Sequence, residues 1–173
     1  SHIAGVSGAS GRLDELAAMI GDVDERAGGP ALRAAAVVGT RLVLEGRAEP
    51  AESIARRFAP ALARVRDAEP AAAAHLLKLQ SFLAAAEGDY GSELELAEQS
   101  RAAFERAGGR RAACFQQVNV GEAMLRLGGY ARAEVMFRDA LDTARRLRLL
   151  AVVAWIQQNL GVRTAEVVEG VLQ

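Results

Sequence analysis

Two short motifs recur 40 residues apart in this 173-residue chain. Asn-Val-Gly at positions 119–121 recurs as Asn-Leu-Gly at 159–161, and Gly-Asp-Tyr at 88–90 recurs as Gly-Gly-Tyr at 128–130. The two motifs therefore keep one register. In earlier repeats, Ser81 and then Gly39 occupy the position of Gly121, and Gly46 occupies the position of Gly88. Such a period is typical of stacked supersecondary units, because one unit alone cannot bury its apolar face.

The segments between the glycine and proline breaks show the apolar period of a helix. In 131–147, for example, Ala133, Phe137 and Ala140 fall on one face. Aromatic residues are only 5% of the chain, whereas Ala, the strongest helix former, is abundant. We therefore predict an all-α protein that is more than about 70% helical and has no sheet. The predicted helices are 12–27, 31–45, 51–66, 70–87, 91–107, 110–127, 131–147 and 150–167.

The repeated glycines have different expected roles. A small residue in the middle of a helix lets a neighbouring helix approach closely, so we expect Leu at Gly121 or Gly161 to destabilise the fold. The glycines that follow helices, Gly46, Gly88 and Gly128, are expected to adopt the left-handed conformation that ends a helix. Further along each unit, the small residue Ala133 has Glu93 as its counterpart, which is a departure from the pattern.

The pattern N-[VL]-G…L-G-G-Y-x-x-A…F-x-x-A-L at 119–141 resembles the tetratricopeptide repeat. It is most similar to the longer variety of about 40 residues, found in kinesin light chain, MalT-like transcription activators and helical regions of bacterial signalling kinases and ATPases. The resemblance implies antiparallel helix pairs stacked in a right-handed superhelical solenoid. The implied pairs are about 31–66, 70–107 and 110–147, with half-pairs at both ends.

The ends of the chain suggest a piece of a longer protein. Residues 1–11 are rich in Gly and Ser and are predicted to be a flexible tag or linker, so that the helical domain covers 12–173. The C-terminal end carries apolar residues with no polar capping helix after them, so we expect either that they fold back over the last helix pair or that a second molecule covers them in a homo-oligomer. These residues are Val167, Val168, Val171 and Leu172.

Charge and reactive residues argue against several classes of function. The formal net charge is −1, whereas domains that bind nucleic acid by bulk charge are clearly basic. One Cys and two His are too few for a structural zinc site, and the single Cys fits a reducing, cytoplasmic compartment. Cys114 is interpreted as a small buried hydrophobe, and His75 as a solvated or capping residue. We predict no enzyme, cofactor, metal site or membrane span.

The best functional signal is the pair Asn119 and Asn159, the only asparagines in the chain. The resemblance implies that the position of these asparagines in the first helix of each pair lines a concave groove. An amide in such a groove can hydrogen bond the backbone of a bound peptide. The alternative is that they only cap neighbouring backbone. The same register places further residues in the groove: Lys78, Phe115, Glu122, Arg126, Trp155 and Gln158. Trp155 is either an exposed binding anchor or a buried filler between helix pairs.

These observations lead to two functional hypotheses. The first is a non-catalytic protein- or peptide-interaction module, a scaffold within a larger bacterial regulatory or signalling protein. The alternative is a sensor domain that binds a small effector in the concave groove, as the resemblance to MalT-like transcription activators implies. A peptide needs an open groove several repeats long, whereas a metabolite needs a closed pocket.

Overall fold

The computed structural model describes residues 3–24 and 26–171, and side chains within 11–24 and 26–161. The chain is 86% helical, and the described residues contain no strand, which confirms the all-α prediction. The helices are α1 (Ile3–Gly21), α2 (Gly29–Leu44), α3 (Ala48–Ala68), α4 (Pro70–Glu87), α5 (Tyr90–Arg106), α6 (Arg110–Arg126), α7 (Tyr130–Arg146) and α8 (Leu150–Val171). Across the described residues, no helix combines the length and apolar character needed to cross a membrane.

Helix α1 differs most from its prediction. It begins at Ile3, so that most of the segment 1–11, which we expected to be a flexible linker, is helical. The buried residues Leu13 and Ile20 hold α1 in the core with α2, α3 and α4. Once a helix is anchored in this way, each further residue extends it at little cost, even through glycines.

Five of the turns between the helices share one construction, which the turns after α1 and α3 lack within the described residues. A residue in the left-handed region follows the helix, and the next N–H donates to a carbonyl five residues earlier, 2.8–2.9 Å away. The left-handed residues are Gly46, Gly88, Gly108, Gly128 and Arg148. The prediction for the turn glycines at 46, 88 and 128 is confirmed. From position 88 onward the turns are 20 residues apart, which explains the 40-residue register of helix pairs.

Consecutive helices pack against one another throughout the chain, and α2 also contacts α4, as α6 contacts α8. The buried side chains form two large clusters, one within α1–α4 and one within α5–α8. A smaller cluster that includes Leu77, Phe104 and Ala113 joins α4, α5 and α6. The core therefore runs along the chain, with α2 beside α4 and α6 in contact with α8.

The close approach expected at the repeated glycine occurs at two of its positions. A Cβ atom at Gly121 would lie 2.6 Å from the Phe137 ring, and one at Gly39 would lie 2.7 Å from Leu79. At Gly161 no described atom lies within 4 Å of such a Cβ. The close approach expected at Gly161 is therefore not found among the described residues, because none of their helices packs against this face of α8. The side chains of Val167, Val168 and Val171, and the whole of Leu172, lie outside the described residues.

Candidate binding groove

A cavity of about 460 Å³ opens on the face formed by the even-numbered helices. Residues from α2, α4, α6 and α8 line it, and α5 adds a single side chain, Glu93. The lining consists of Val43, Leu44, Lys78, Phe82, Ala85, Ala86, Glu93, Phe115, Asn119, Glu122, Arg126 and Trp155. The volume lies in the range of small-molecule pockets, about 300–1,000 Å³.

Aromatic and aliphatic side chains form one wall of the cavity. The rings of Phe115 and Trp155 lie 5.5 Å apart and are tilted by 47°. Phe115 keeps 42% of its surface exposed and Leu44 keeps 60%, although both are large apolar residues. Trp155 is half-buried, which is intermediate between the exposed binding anchor and the buried filler that the sequence allowed. Exposed apolar surface grouped in one concave site is typical of a binding region.

Lys78, the only lysine of the chain, is the cation of this wall. It is half-buried on α4, and its Nζ lies 5.5 Å from the centre of the Phe82 ring. No carboxylate of the described residues lies within ion-pair distance of Nζ. Burial lowers the pKa of Lys78 because it disfavours the charged form.

His75 lies one turn before Lys78 and is not the solvated or capping residue that we expected. It is half-buried, and its ring meets the Phe104 ring edge-to-face with the centroids 4.9 Å apart. Burial, followed by the charges of Lys78 and Arg33, lowers the pKa of His75 to about 4. At neutral pH the imidazole is therefore uncharged, and it does not add to the charge of Lys78.

Four side chains form a polar network one to two helix turns beyond the level of Lys78. Arg126 of α6 donates to Glu93 Oε1, and its guanidinium also lies 5.6 Å from the centre of the Tyr90 ring. Asn159 of α8 donates to Glu122 Oε1 at 3.1 Å and to the Trp155 carbonyl at 3.3 Å. Burial raises the pKa of both Glu93 and Glu122, although these hydrogen bonds oppose the shift.

Asn119 belongs to a second, fully internal network. Its amide donates to Gln116 Oε1, Gln116 Nε2 donates to Ser100 Oγ at 2.7 Å, and Ser100 Oγ donates to the Ala74 carbonyl at 2.8 Å. All three side chains are buried. The Asn119 amide thus has a partner inside the protein, and that of Asn159 has two, Glu122 and the Trp155 carbonyl. These contacts favour the alternative structural role over an amide that is available to a peptide.

The structure brings together most of the residues that the sequence placed in the groove. Lys78, Phe115, Asn119, Glu122, Arg126 and Trp155 all line the cavity, and Asn159 lies directly behind Glu122. Gln158 does not line the cavity; it is exposed elsewhere on α8. Sequence analysis missed six lining residues, namely Val43, Leu44, Phe82, Ala85, Ala86 and Glu93. The 40-residue register contains the signal for two of them, because Phe82 is equivalent to Glu122, and Ala86 to Arg126.

Cys114 is buried, as predicted, and its Sγ lies 3.5 Å from the Ala140 carbonyl that accepts its hydrogen bond. Burial raises the pKa of this thiol, which disfavours the reactive thiolate. Within the described part of the chain, no group of three or more His, Cys, Asp or Glu side chains could hold a metal ion.

Comparison with protein-family models, curated proteins and solved structures finds no match to this chain.

Proposed function

We propose that this chain is a non-catalytic peptide- or protein-interaction module with a tetratricopeptide-like solenoid fold. Two features support the solenoid. Five turns share one left-handed construction, four of them at 20-residue intervals from Gly88 to Arg148, and α2 contacts α4 as α6 contacts α8. In such a stack each helix pair buries its apolar face against the next pair. In this proposal the module is part of a cytoplasmic bacterial regulatory or signalling protein and acts there as a scaffold.

The observation that carries the proposal is the position of the cavity. It extends from Val43 on α2 to Trp155 on α8, so that four helices contribute to one concave face. A site that spans several repeats suits an extended ligand, which can contact each helix in turn. Its exposed aromatic residue, Phe115, is of the kind that dominates binding hot spots.

Selection of peptides from a random display library tests the proposal. Ala86 lies exposed at the cavity, so Ala86→Trp fills the groove without entering the core. Ala131→Trp on α7 is the matched control, because Ala131 is also exposed and does not line the cavity. Selected peptides should bind the wild type and Ala131→Trp equally in isothermal titration calorimetry. They should bind Ala86→Trp at least about tenfold more weakly, which corresponds to about 1.4 kcal/mol.

Failure to select any peptide, or equal binding to all three proteins, would contradict this proposal. The cavity volume favours a second candidate, a sensor for a small effector, since about 460 Å³ is enough for a metabolite. In that case a metabolite library should raise the Tm of the wild type and of Ala131→Trp, and Ala86→Trp should not respond.

A further inference from the structure

The cavity carries opposite charges at two levels: Lys78 lies at one level, and Glu122 and Arg126, with Glu93, lie one to two helix turns further along. We propose that the groove selects a peptide segment in which an acidic and a basic side chain flank apolar residues. Lys78 receives the acidic side chain, and the end formed by Glu93, Glu122 and Arg126 receives the basic one. This inference rests on the proposed function, since it specifies the ligand of the same groove.

The positive end is a single cation without a counter-charge. Lys78 has no ion-pair partner among the described residues, and the adjacent His75 is neutral at pH 7. Its ammonium is held over the Phe82 ring, at the edge of the cavity. A half-buried cation is stabilised when a carboxylate replaces the water that it has lost, and a ligand is the available source.

The negative end holds the carboxyl groups of Glu93 and Glu122 and one guanidinium, that of Arg126, so the carboxyl groups outnumber the cations there. Glu93 is only 6% exposed, and Arg126 occupies its Oε1. Its second oxygen, Oε2, is buried and accepts no hydrogen bond in the structure. A buried acceptor without a donor is costly, so this oxygen favours a ligand that brings an ammonium or guanidinium group to this end.

The repeat register shows that the charge at position 93 is not needed for packing. Its counterpart Ala133 is fully buried and fills the same position of the next helix pair with a methyl group. A buried Glu at a site that accepts Ala reduces stability. Its presence therefore indicates that the charge has a role other than packing. Sites that break the local pattern in this way are often functional.

The spacing of the two ends defines the length of the segment. α4 ends at Glu87 and α5 returns from Tyr90, so Glu93 lies level with the last turn of α4. Lys78 is about six residues from that level, which is roughly 9 Å of helix rise. A peptide in the extended polyproline II conformation advances about 3.1 Å per residue with three residues per turn, so two charged residues about three positions apart lie on one face at this spacing. Phe82, one turn after Lys78, borders the cavity between these levels.

Four peptides capped at both ends test the charge pattern. The central residues are Glu-Leu-Leu-Lys, Glu-Leu-Leu-Gln, Gln-Leu-Leu-Lys and Gln-Leu-Leu-Gln, each also made in reverse order. Binding is followed by the fluorescence of Trp155, the only Trp of the chain, which lines the cavity. In one of the two orders, the doubly charged peptide should bind about tenfold more tightly than the neutral one.

Two variants assign each charge to its end. In Lys78→Gln the advantage of Glu over Gln in the peptide should disappear, while that of Lys should remain. In Glu93→Gln the advantage of Lys over Gln in the peptide should disappear, while that of Glu should remain. Glu122→Gln provides the same test if Glu93→Gln does not fold. Arg138→Gln on α7 is the control, because Arg138 is exposed and does not line the cavity. This variant should keep both preferences.

Equal binding of the charged and neutral peptides would overturn the inference. The inference would also be overturned if Lys78→Gln and Glu93→Gln weakened the binding of all four peptides to the same extent. In either case peptides still bind the groove, so the proposed function would stand. The absence of binding by any of these peptides at millimolar concentration also overturns the charge pattern. The display selection then decides separately whether the groove binds peptides at all.

Discussion

Two consecutive helix pairs of this protein share a backbone plan and differ in the chemistry of their interfaces. The first pair is α4 with α5, residues 70–109, and the second is α6 with α7, residues 110–149. In the first pair Ser100 of the second helix donates to the Ala74 carbonyl of the first helix. In the second pair the direction is reversed, and Cys114 of the first helix donates to the Ala140 carbonyl of the second. The two pairs thus make an equivalent hydrogen bond between their helices, but the donor lies on the second helix in one pair and on the first helix in the other.

The difference extends to the junction with the following helix. Gln116 and Asn119 continue the polar network of the first pair, whereas the counterpart of Gln116 in α8 is the fully buried Ile156. The charged network of Glu93 and Arg126 has no counterpart either, since the equivalent positions are Ala133 and Glu166. The repeat register therefore specifies the backbone, while each interface is free to be polar or apolar if its donors and acceptors are matched.

The largest effect is expected when the charge of the first pair is copied into the second. Ala133→Glu would bury a carboxylate with no Arg at position 166 to pair with it, at a cost of about 3–5 kcal/mol. Thermal unfolding followed by circular dichroism should show a Tm lower by about 10 °C or more. The reverse change, Glu93→Ala, should cost less, because the side chain of Arg126 is 38% exposed and regains water. A wild-type Tm for Ala133→Glu would show that the two sites are not equivalent.

The next largest effect compares two glycines in the same register. Gly121→Leu would drive a side chain into the Phe137 ring and should lower the free energy of unfolding by about 3 kcal/mol. Gly161→Leu meets no described atom within 4 Å and should leave stability nearly unchanged. Urea unfolding of the two variants measures the difference. Similar losses in both would mean that Gly161 also packs against another helix.

A smaller effect is expected from the two asparagines. Asn119→Ala leaves Gln116 Oε1 buried without its donor and should cost about 1–3 kcal/mol. Asn159 is half-buried and bonds the half-buried Glu122, so Asn159→Ala should cost less than about 1 kcal/mol. Urea unfolding of the two single variants compares these costs. A smaller loss for Asn119→Ala than for Asn159→Ala would contradict the buried network.

The smallest effect concerns the turns that end the second helix of each pair. Gly108 ends α5, and Arg148 ends α7 in the same left-handed conformation, with φ of 72° and 54°. A side chain in this region is strained, so Arg148→Gly should stabilise the protein by about 0.5–1 kcal/mol, and Gly108→Ala should destabilise it by a similar amount. Differential scanning calorimetry can resolve both shifts. A lower Tm for Arg148→Gly would show that the Arg148 side chain makes a compensating contact.

The sequence by itself determined the helices from α2 onward, their register and half of the positions that line the groove. These features depend on local rules: apolar residues at helical spacing define each helix, and a glycine after a helix defines its turn. Because the units repeat, one correct position predicts the equivalent position 40 residues away. Lys78, Phe115 and Trp155 were assigned to one face in this way, and the cavity contains all three.

Only the tertiary structure decided what each of these positions contacts. Asn119 and Asn159 share a register, yet one is buried in the network of Gln116 and Ser100 and the other meets Glu122. Gly121 and Gly161 are likewise equivalent in sequence, but only Gly121 has a neighbouring helix in contact. The helical period of a sequence shows which face of a helix is apolar. It does not show which side chains of another helix contact that face. Hydrogen bonds, ion pairs and close contacts depend on those partners, and so they emerge only when the helices are packed together.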